Sequence, residues 1–125
     1  MITILLVDDQ SSVRQGLRME LALEPDSQVI AEAENGQEAL ELARRLQPDV
    51  ILMDVKLPMM DGITTTEKLR TIAPGCAVVI LSLYDDARTR ERAQAAGAVA
   101  FVSKQEPSEA LLAAIRQAVA RSTEH

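Results

Sequence analysis

Residues 50–54 read VILMD, four apolar residues followed by an aspartate. A short continuous apolar run is typical of a strand that is buried on both faces of a parallel sheet. The carboxylate of Asp54 should therefore lie where this strand ends. The apolar run at residues 4–7 ends in the same way, in Asp8 and Asp9. Three carboxylates crowded into one small site repel each other unless a cation lies among them.

Five apolar runs are spaced along the chain and predict strands. They cover approximately Thr3–Val7, Gln28–Ala33, Val50–Asp54, Ala77–Ser82 and Val99–Ser103. Segments with helical periodicity separate them, and this alternation predicts an α/β fold with a parallel sheet covered by helices on both faces. Right-handed crossovers favour a doubly wound sheet of order 2-1-3-4-5, the flavodoxin-like arrangement, with a ligand crevice between the carboxyl ends of strands 1 and 3.

The helical segments show the expected capping and breaking residues. Ser11 or Ser12 is expected to cap the first helix, and the second, third and fourth helices are predicted at residues 36–46, 62–72 and 86–96. The fourth has mainly alanine on its apolar side, and the fifth begins near Pro107. The residues expected to face the sheet include Val13, Leu17 and Leu21 in the first helix, Ala39, Leu40, Ala43 and Leu46 in the second, and Leu111, Leu112, Ile115 and Val119 in the fifth.

Size and composition narrow the classes of protein to consider. The 125 residues fit one domain, predicted at residues 1–121, with residues 122–125 as a tail or the start of a connection. The net charge of −6 and the low aromatic content argue against direct binding of nucleic acid. Cys76 is the single cysteine, so no disulfide framework is expected. The first apolar run is too short for a signal or a membrane span, which predicts a cytoplasmic protein.

The predicted strand order places four strand ends side by side. These ends carry Asp8 and Asp9, Asp54, Ser82 and Lys104. A set of carboxylate oxygens suits Mg²⁺, and the absence of His and Cys among these candidate ligands argues against zinc. If one oxygen of Asp54 binds the metal, the other is free to attack an electrophile and form an acyl phosphate. Mg²⁺, the Lys104 ammonium and the Ser82 hydroxyl would then each bind one phosphoryl oxygen.

These residues resemble, over the whole chain, the receiver domain of bacterial two-component response regulators. The matching positions are the acidic pair Asp8 and Asp9, the phosphoacceptor Asp54, Pro58 and Gly62 behind it, the hydroxyl residue Ser82, and Lys104. The resemblance implies that Phe101 is a switch aromatic whose rotamer follows Ser82, although an ordinary core aromatic also fits this position. It further implies that the backbone carbonyl of Lys56 is a metal ligand.

Residues 13–18 and 109–115 are similar to those of the NarL/LuxR branch, whose members usually carry a C-terminal helix-turn-helix domain. The resemblance implies a phosphorylation-activated switch that accepts a phosphoryl group from a sensor histidine kinase on Asp54, with Mg²⁺ bound. The conformational change would be relayed through a homodimer to a DNA-binding output domain. Such a receiver is not an enzyme beyond its own phosphotransfer and autodephosphorylation.

Two positions near the site are expected to modulate the lifetime of the phosphate. Lys56 and Tyr84 occupy places that flank the path of the attacking water in this family, and a long amine and a phenol there would shield the acyl phosphate. The competing interpretation is that both side chains are solvated residues at the rim.

Two other functions remain open. A Mg²⁺-dependent phosphatase of the haloacid dehalogenase kind also uses an aspartate nucleophile at a strand end, but Lys56 occupies the position of its second acid. A receiver that serves only for docking and is not phosphorylated is the other alternative.

Overall fold

The computed structural model describes residues 1–123, which form ten elements. These are β1 (Ile2–Val7), α1 (Ser11–Leu21), β2 (Ser27–Ala33), α2 (Gly36–Leu46), β3 (Val50–Met53), α3 (Gly62–Ile72), β4 (Ala77–Ser82), α4 (Ala87–Ala96), β5 (Ala100–Ser103) and α5 (Ser108–Thr123). The strict alternation of strand and helix confirms the α/β class. The last helix continues two residues beyond the predicted end of the receiver domain, and the rest of the predicted tail, residues 124–125, lies outside the described residues.

The five strands form one parallel sheet of order β2-β1-β3-β4-β5, which confirms the predicted topology. The register aligns Val7 with Met53 across β1 and β3, and Ser82 with Ser103 across β4 and β5. Residues that follow β1, β3 and β5 therefore leave the sheet at the same edge. This edge is the carboxyl rim at which open α/β sheets bind their ligands.

Helices cover the sheet on both faces, which explains why all four residues of β3 are buried. Alternate strand residues contribute to two core clusters on opposite faces. One contains Leu5, Val7, Ile51, Met53, Val78 and Ile80 with buried residues of α2, α3 and α4, and the other contains Ile4, Leu6, Val50, Leu52, Val79 and Leu81 with buried residues of α1 and α5.

Two details of the helix predictions are wrong. Neither Ser11 nor Ser12 caps α1, because both lie inside its first turn; the N-cap is Gln10, whose side chain makes no capping bond. Leu46 does not face the core: it is the last residue of α2 and 40% exposed, and the last buried residue of that helix is Ala43.

The other residues that were predicted to face the sheet are buried or half-buried. Leu21, Leu111 and Ile115 are buried, whereas Val13, Leu17, Leu112 and Val119 are half-buried. In α4 the only buried residues are Ala93 and Ala96, and Gly97 ends the helix with a φ of 108°. Within the described part of the chain, no helix combines the length and apolar character that a membrane crossing requires.

Candidate functional site

Main-chain hydrogen bonds fix both strand ends that carry the acidic residues. The N–H of Asp54 donates to the carbonyl of Val7 at 3.0 Å, and the N–H of Asp8 donates to the carbonyl of Ala33 at 3.1 Å. The parallel ladder thus continues one residue past β1 and β3. Because both residues belong to this ladder, their side chains start from fixed points at the rim.

The carboxylates of Asp8, Asp9 and Asp54 form a cluster in which one oxygen atom from each lies within 4.8 Å of the other two. The side chains of Asp8 and Asp54 are buried, and that of Asp9 is exposed. Two acids at the base and one at the mouth form an all-oxygen donor set that is open to solvent. This arrangement is suited to a hard divalent cation.

Lys104 joins this cluster from the end of β5. Its Nζ lies 3.0 Å from Oδ2 of Asp8 and 3.4 Å from Oδ2 of Asp54. Its main-chain N–H donates to the carbonyl of Ser82 at 2.9 Å, which holds the lysine beside β4. The structure thus brings together four of the predicted residues, and the Lys104 ammonium offsets part of the repulsion between Asp8 and Asp54.

The pKa of Asp54 is raised to about 6, and burial is the main cause. The nearby Lys104 ammonium lowers this pKa and the Asp8 carboxylate raises it again. Without a cation, a fraction of Asp54 therefore carries a proton near neutral pH. A cation bound among the carboxylates favours the ionised form, which is the nucleophilic one.

Ser82 and Phe101 lie on the neighbouring strands. Ser82 is fully buried at the end of β4, and its Oγ accepts a hydrogen bond from the N–H of Tyr84 at 3.0 Å. Phe101 in β5 is half-buried: it packs against the core, and the Arg90 guanidinium lies 4.6 Å from the ring centroid. The single aromatic residue of β5 is therefore held between the core and a charge from α4.

Lys56 and Tyr84, which come from different loops, contact each other. The Lys56 Nζ lies 5.1 Å from the centroid of the Tyr84 ring, and both side chains are exposed. This distance is within the range of a cation–π interaction. This contact connects the loop that follows β3 with the loop that follows β4. Each of the two residues lies two positions after a predicted site residue, Asp54 or Ser82.

Gly62 allows α3 to begin directly behind Asp54. A Cβ atom at this position would overlap the carbonyl oxygen of Asp54, so only glycine fits. The N–H of Gly62 donates to the carbonyl of Val55 at 2.8 Å, which folds the loop back on the strand. Asp61 caps the helix by accepting from the N–H of Thr64 at 2.7 Å.

Sequence reasoning missed Arg14, which it used only as a sign of the NarL/LuxR branch. Arg14 is buried in α1, donates to the carbonyl of Asp8 and pairs with Glu32 of β2. The available signal was an arginine next to the apolar residue Val13 on the inward side of an amphipathic helix. A charge in such a place requires a buried partner.

Comparisons with known proteins agree on one family. The sequence model described as "Response regulator receiver domain" matches residues 4–116. The response regulator GacA of Pseudomonas aeruginosa is 39% identical over 120 residues, which are 96% of this chain and 56% of that protein. The nitrate/nitrite response regulator protein NarL of Escherichia coli K12 is 37% identical over 118 residues, covering 94% of this chain and 55% of that protein.

Among solved structures, the response regulator domain of Thermotoga maritima CheB superposes with a TM-score of 0.88 at 33% identity, covering 96% of this chain and 97% of that one. The chain spans about half the length of the curated relatives it matches.

Proposed function

This chain belongs to the response regulator receiver family, of the NarL/LuxR type, and from that membership we propose that it is a phosphorylation-activated switch with Asp54 as its phosphoacceptor. The observation that carries this proposal is the buried Asp54 carboxylate, which lies within 3.4 Å of Lys104 and shares an acidic cluster with Asp8 and Asp9. No other described carboxylate belongs to such a cluster.

In the proposed reaction, an oxygen of the ionised Asp54 attacks the phosphorus of a phosphohistidine on a sensor kinase. The new bond is the P–O bond of an acyl phosphate, the bond that breaks is the P–N bond, and the donor imidazole leaves with the bonding electrons and takes up a proton. Lys104 would bind one phosphoryl oxygen with its ammonium group, which lies 3.4 Å from Oδ2 of Asp54. Ser82 offers its hydroxyl to a second oxygen once that hydroxyl moves from the N–H of Tyr84.

We further propose Mg²⁺ as the cation, because the donor set consists of oxygens and Mg²⁺ prefers one or two carboxylates together with phosphate oxygens. Asp8, Asp9, Asp54 and the backbone carbonyl of Lys56 would hold it. When bound, Mg²⁺ supplies positive charge that neutralises the phosphoryl oxygens during transfer. The fit of the chain to this ion rests on the three carboxylates, each of which offers one oxygen within 4.8 Å of the others.

The signal would leave the site through Phe101. Movement of Ser82 toward the phosphoryl group vacates space beside β5, and the aromatic ring is proposed to turn inward to fill it. A kinase supplies ATP-derived phosphate, so this receiver is proposed to work in the cytoplasm. Its relatives include proteins described as transcriptional regulatory proteins, which supports a DNA-binding output domain as the target of the switch. A homodimer is proposed as the form that relays the change to that domain.

The test is labelling by a small phosphodonor such as acetyl phosphate in the presence of Mg²⁺. Wild type should take up close to one phosphate per chain, and Asp54→Asn should take up none, because an amide is not a nucleophile here. Asp49→Asn is the matched control, because Asp49 precedes β3 and bonds Thr3 at the opposite edge of the sheet.

Three results would contradict the proposal. Stoichiometric labelling of Asp54→Asn would place the acceptor elsewhere. Multiple turnover of a phosphomonoester would indicate a phosphatase of the haloacid dehalogenase kind, despite the lysine at position 56. Failure of wild type to bind Mg²⁺ or a beryllofluoride mimic would indicate a docking receiver that is not phosphorylated.

A further inference from the structure

Arg14 is a buried arginine whose contacts lead from the acidic cluster to the edge strand of the sheet. Arg14 is only 8% exposed, and an arginine buried to this extent requires hydrogen-bond or ion-pair partners for its guanidinium group. It lies in α1, one turn after the loop that carries Asp8 and Asp9. The residue does not take part in the proposed phosphotransfer.

One guanidinium group connects the ends of two strands. Its Nη1 donates to the main-chain carbonyl oxygen of Asp8 at 2.6 Å, and its Nε donates to Oε1 of Glu32 at 2.9 Å. Its Nη2 lies 3.6 Å from Oε1 of Glu34. The rigid fork of arginine can make these bonds at once, whereas the single ammonium group of lysine cannot span them.

Every polar atom of Asp8 has a partner in the structure. Oδ1 accepts from the N–H of Gln10 at 2.9 Å, Oδ2 accepts from Lys104, and the main-chain N–H donates to Ala33. The carbonyl oxygen is the atom that Arg14 holds. The peptide that follows this carbonyl is planar, so its orientation determines where the Cα of Asp9 lies.

We propose that Arg14, held in place by Glu32, is a positioning residue for the divalent-cation site. It fixes the peptide between Asp8 and Asp9, and so places the exposed carboxylate of the cluster for metal binding. This proposal rests on the proposed function insofar as that function requires the cation. Arg14 would affect the affinity for the cation, because its bonds hold the main chain of Asp8 against β2.

The charges around Arg14 nearly cancel, so this group of side chains adds little net charge near the cation site. An effect of Arg14 on cation binding would then come from its geometry rather than from its charge. Arg14 and Arg18 carry two positive charges, and Glu32 and Glu34 carry two negative ones; Arg18 Nη1 lies 3.0 Å from Oε2 of Glu32. A variant that keeps the charge and changes only the geometry therefore tests the proposal. Arg14→Lys is that variant.

The experiment measures the Kd of Mg²⁺ on the unphosphorylated full chain by calorimetry. We expect Arg14→Lys to weaken Mg²⁺ binding by about tenfold, the lower end of the loss seen when outer partners of metal ligands are removed. The rate of labelling by acetyl phosphate at saturating Mg²⁺ should stay near that of wild type. This split distinguishes a residue that orients the cation site from one that only stabilises the fold.

Arg18→Lys is the matched control, because Arg18 shares Glu32 with Arg14 and does not bond Asp8. Its Kd for Mg²⁺ should equal that of wild type. Glu32→Asp keeps the charge, loosens the other end of Arg14 and should weaken Mg²⁺ binding in the same direction. The double variant Arg14→Lys/Glu32→Asp should lose less than the two single losses combined, since both changes break one chain of contacts.

A Kd within twofold of wild type for Arg14→Lys, or an equal loss in Arg18→Lys, would overturn the proposal. If Arg14→Lys does not fold, Glu32→Asp is the deciding variant, because it keeps the charge and withdraws the carboxylate from Arg14. An unchanged Kd for Mg²⁺ in that variant overturns the proposal. These outcomes leave labelling of Asp54 intact and so concern Arg14 alone. Loss of Mg²⁺ binding in wild type would instead overturn the proposed function and this inference together.

Discussion

Lys56 and Tyr84 each lie two residues after a residue of the site, Asp54 and Ser82, and their side chains meet. The distance of 5.1 Å from the amine to the ring centroid joins two loops that the sequence separates by 28 positions (84 − 56). Each side chain is exposed and would be mobile alone. Because they contact each other, the two side chains hold one another in place and are best changed together.

This contact leads to a prediction about the lifetime of the phosphate. We expect the double variant Lys56→Ser/Tyr84→Ala to hydrolyse its acyl phosphate several-fold faster than wild type, because water reaches the phosphorus more easily. Loss of labelled phosphate after removal of the donor measures the half-life. Met59→Ala, a change at an exposed residue of the same loop as Lys56, is the control. An unchanged half-life in the double variant would show that the two side chains do not shield the site.

Helix α4 packs on the rest of the fold through small side chains. Its only buried residues are two alanines, which bury little apolar surface. Arg90 adds contacts that reach beyond the helix: it covers the Phe101 ring, pairs with Asp85 in the preceding loop, and lies 3.8 Å from Glu106. The position of α4 and the environment of Phe101 are therefore coupled through one arginine.

We expect Arg90→Met to loosen α4 while leaving the rest of the fold intact. Amide hydrogen exchange in residues 87–96 should become faster, and the free energy of unfolding should fall by no more than about 1 kcal/mol, because exposed ion pairs and cation–π contacts contribute little each. Hydrogen exchange followed by mass spectrometry resolves the helix from the sheet. Arg88→Met, which removes a charge from the same helix, should exchange as wild type does; equal acceleration in both variants would exclude a specific role for Arg90.

At the scale of the whole molecule, the acidic cluster lowers the stability of the folded chain. The folded chain buries the carboxylates of Asp8 and Asp54 side by side, whereas the unfolded chain separates them in water. Burial raises the pKa of Asp54 to about 6 from the ordinary value of 3.8. Between these two pH values the folded chain keeps a proton that the unfolded chain has lost. Stability therefore falls as pH rises through this window.

This sign predicts the behaviour of Asp54→Asn in the absence of divalent cations. The variant should be more stable than wild type by about 1–2 kcal/mol above pH 6, and the difference should shrink toward zero near pH 4. Denaturant unfolding over this pH range measures it. Saturating Mg²⁺ is the control, since the cation favours the ionised carboxylate and should remove the fall in wild type. A stability difference between the variant and wild type that stays constant with pH would show that the pKa of Asp54 is not raised in the folded chain.

The sequence determined the fold and the set of polar residues that the fold brings to the carboxyl edge of the sheet. Local periodicity marks the five strands and five helices, because a buried parallel strand needs a continuous apolar run and a surface helix needs an apolar stripe. The topology then brings Asp8, Asp9, Asp54 and Lys104 to one edge, as predicted. Family membership, also predicted, is confirmed by the matched family and its relatives.

Only the tertiary structure decided which side chains touch. The bond from Arg14 to the Asp8 carbonyl and the contact between Lys56 and Tyr84 depend on distances between elements, which no local pattern encodes. The cap of α1 was mispredicted for a related reason: Asp8 holds the N–H of Gln10, and the helix begins from that turn rather than from a serine side chain. Periodicity is a property of neighbouring residues, whereas these contacts arise when distant segments pack.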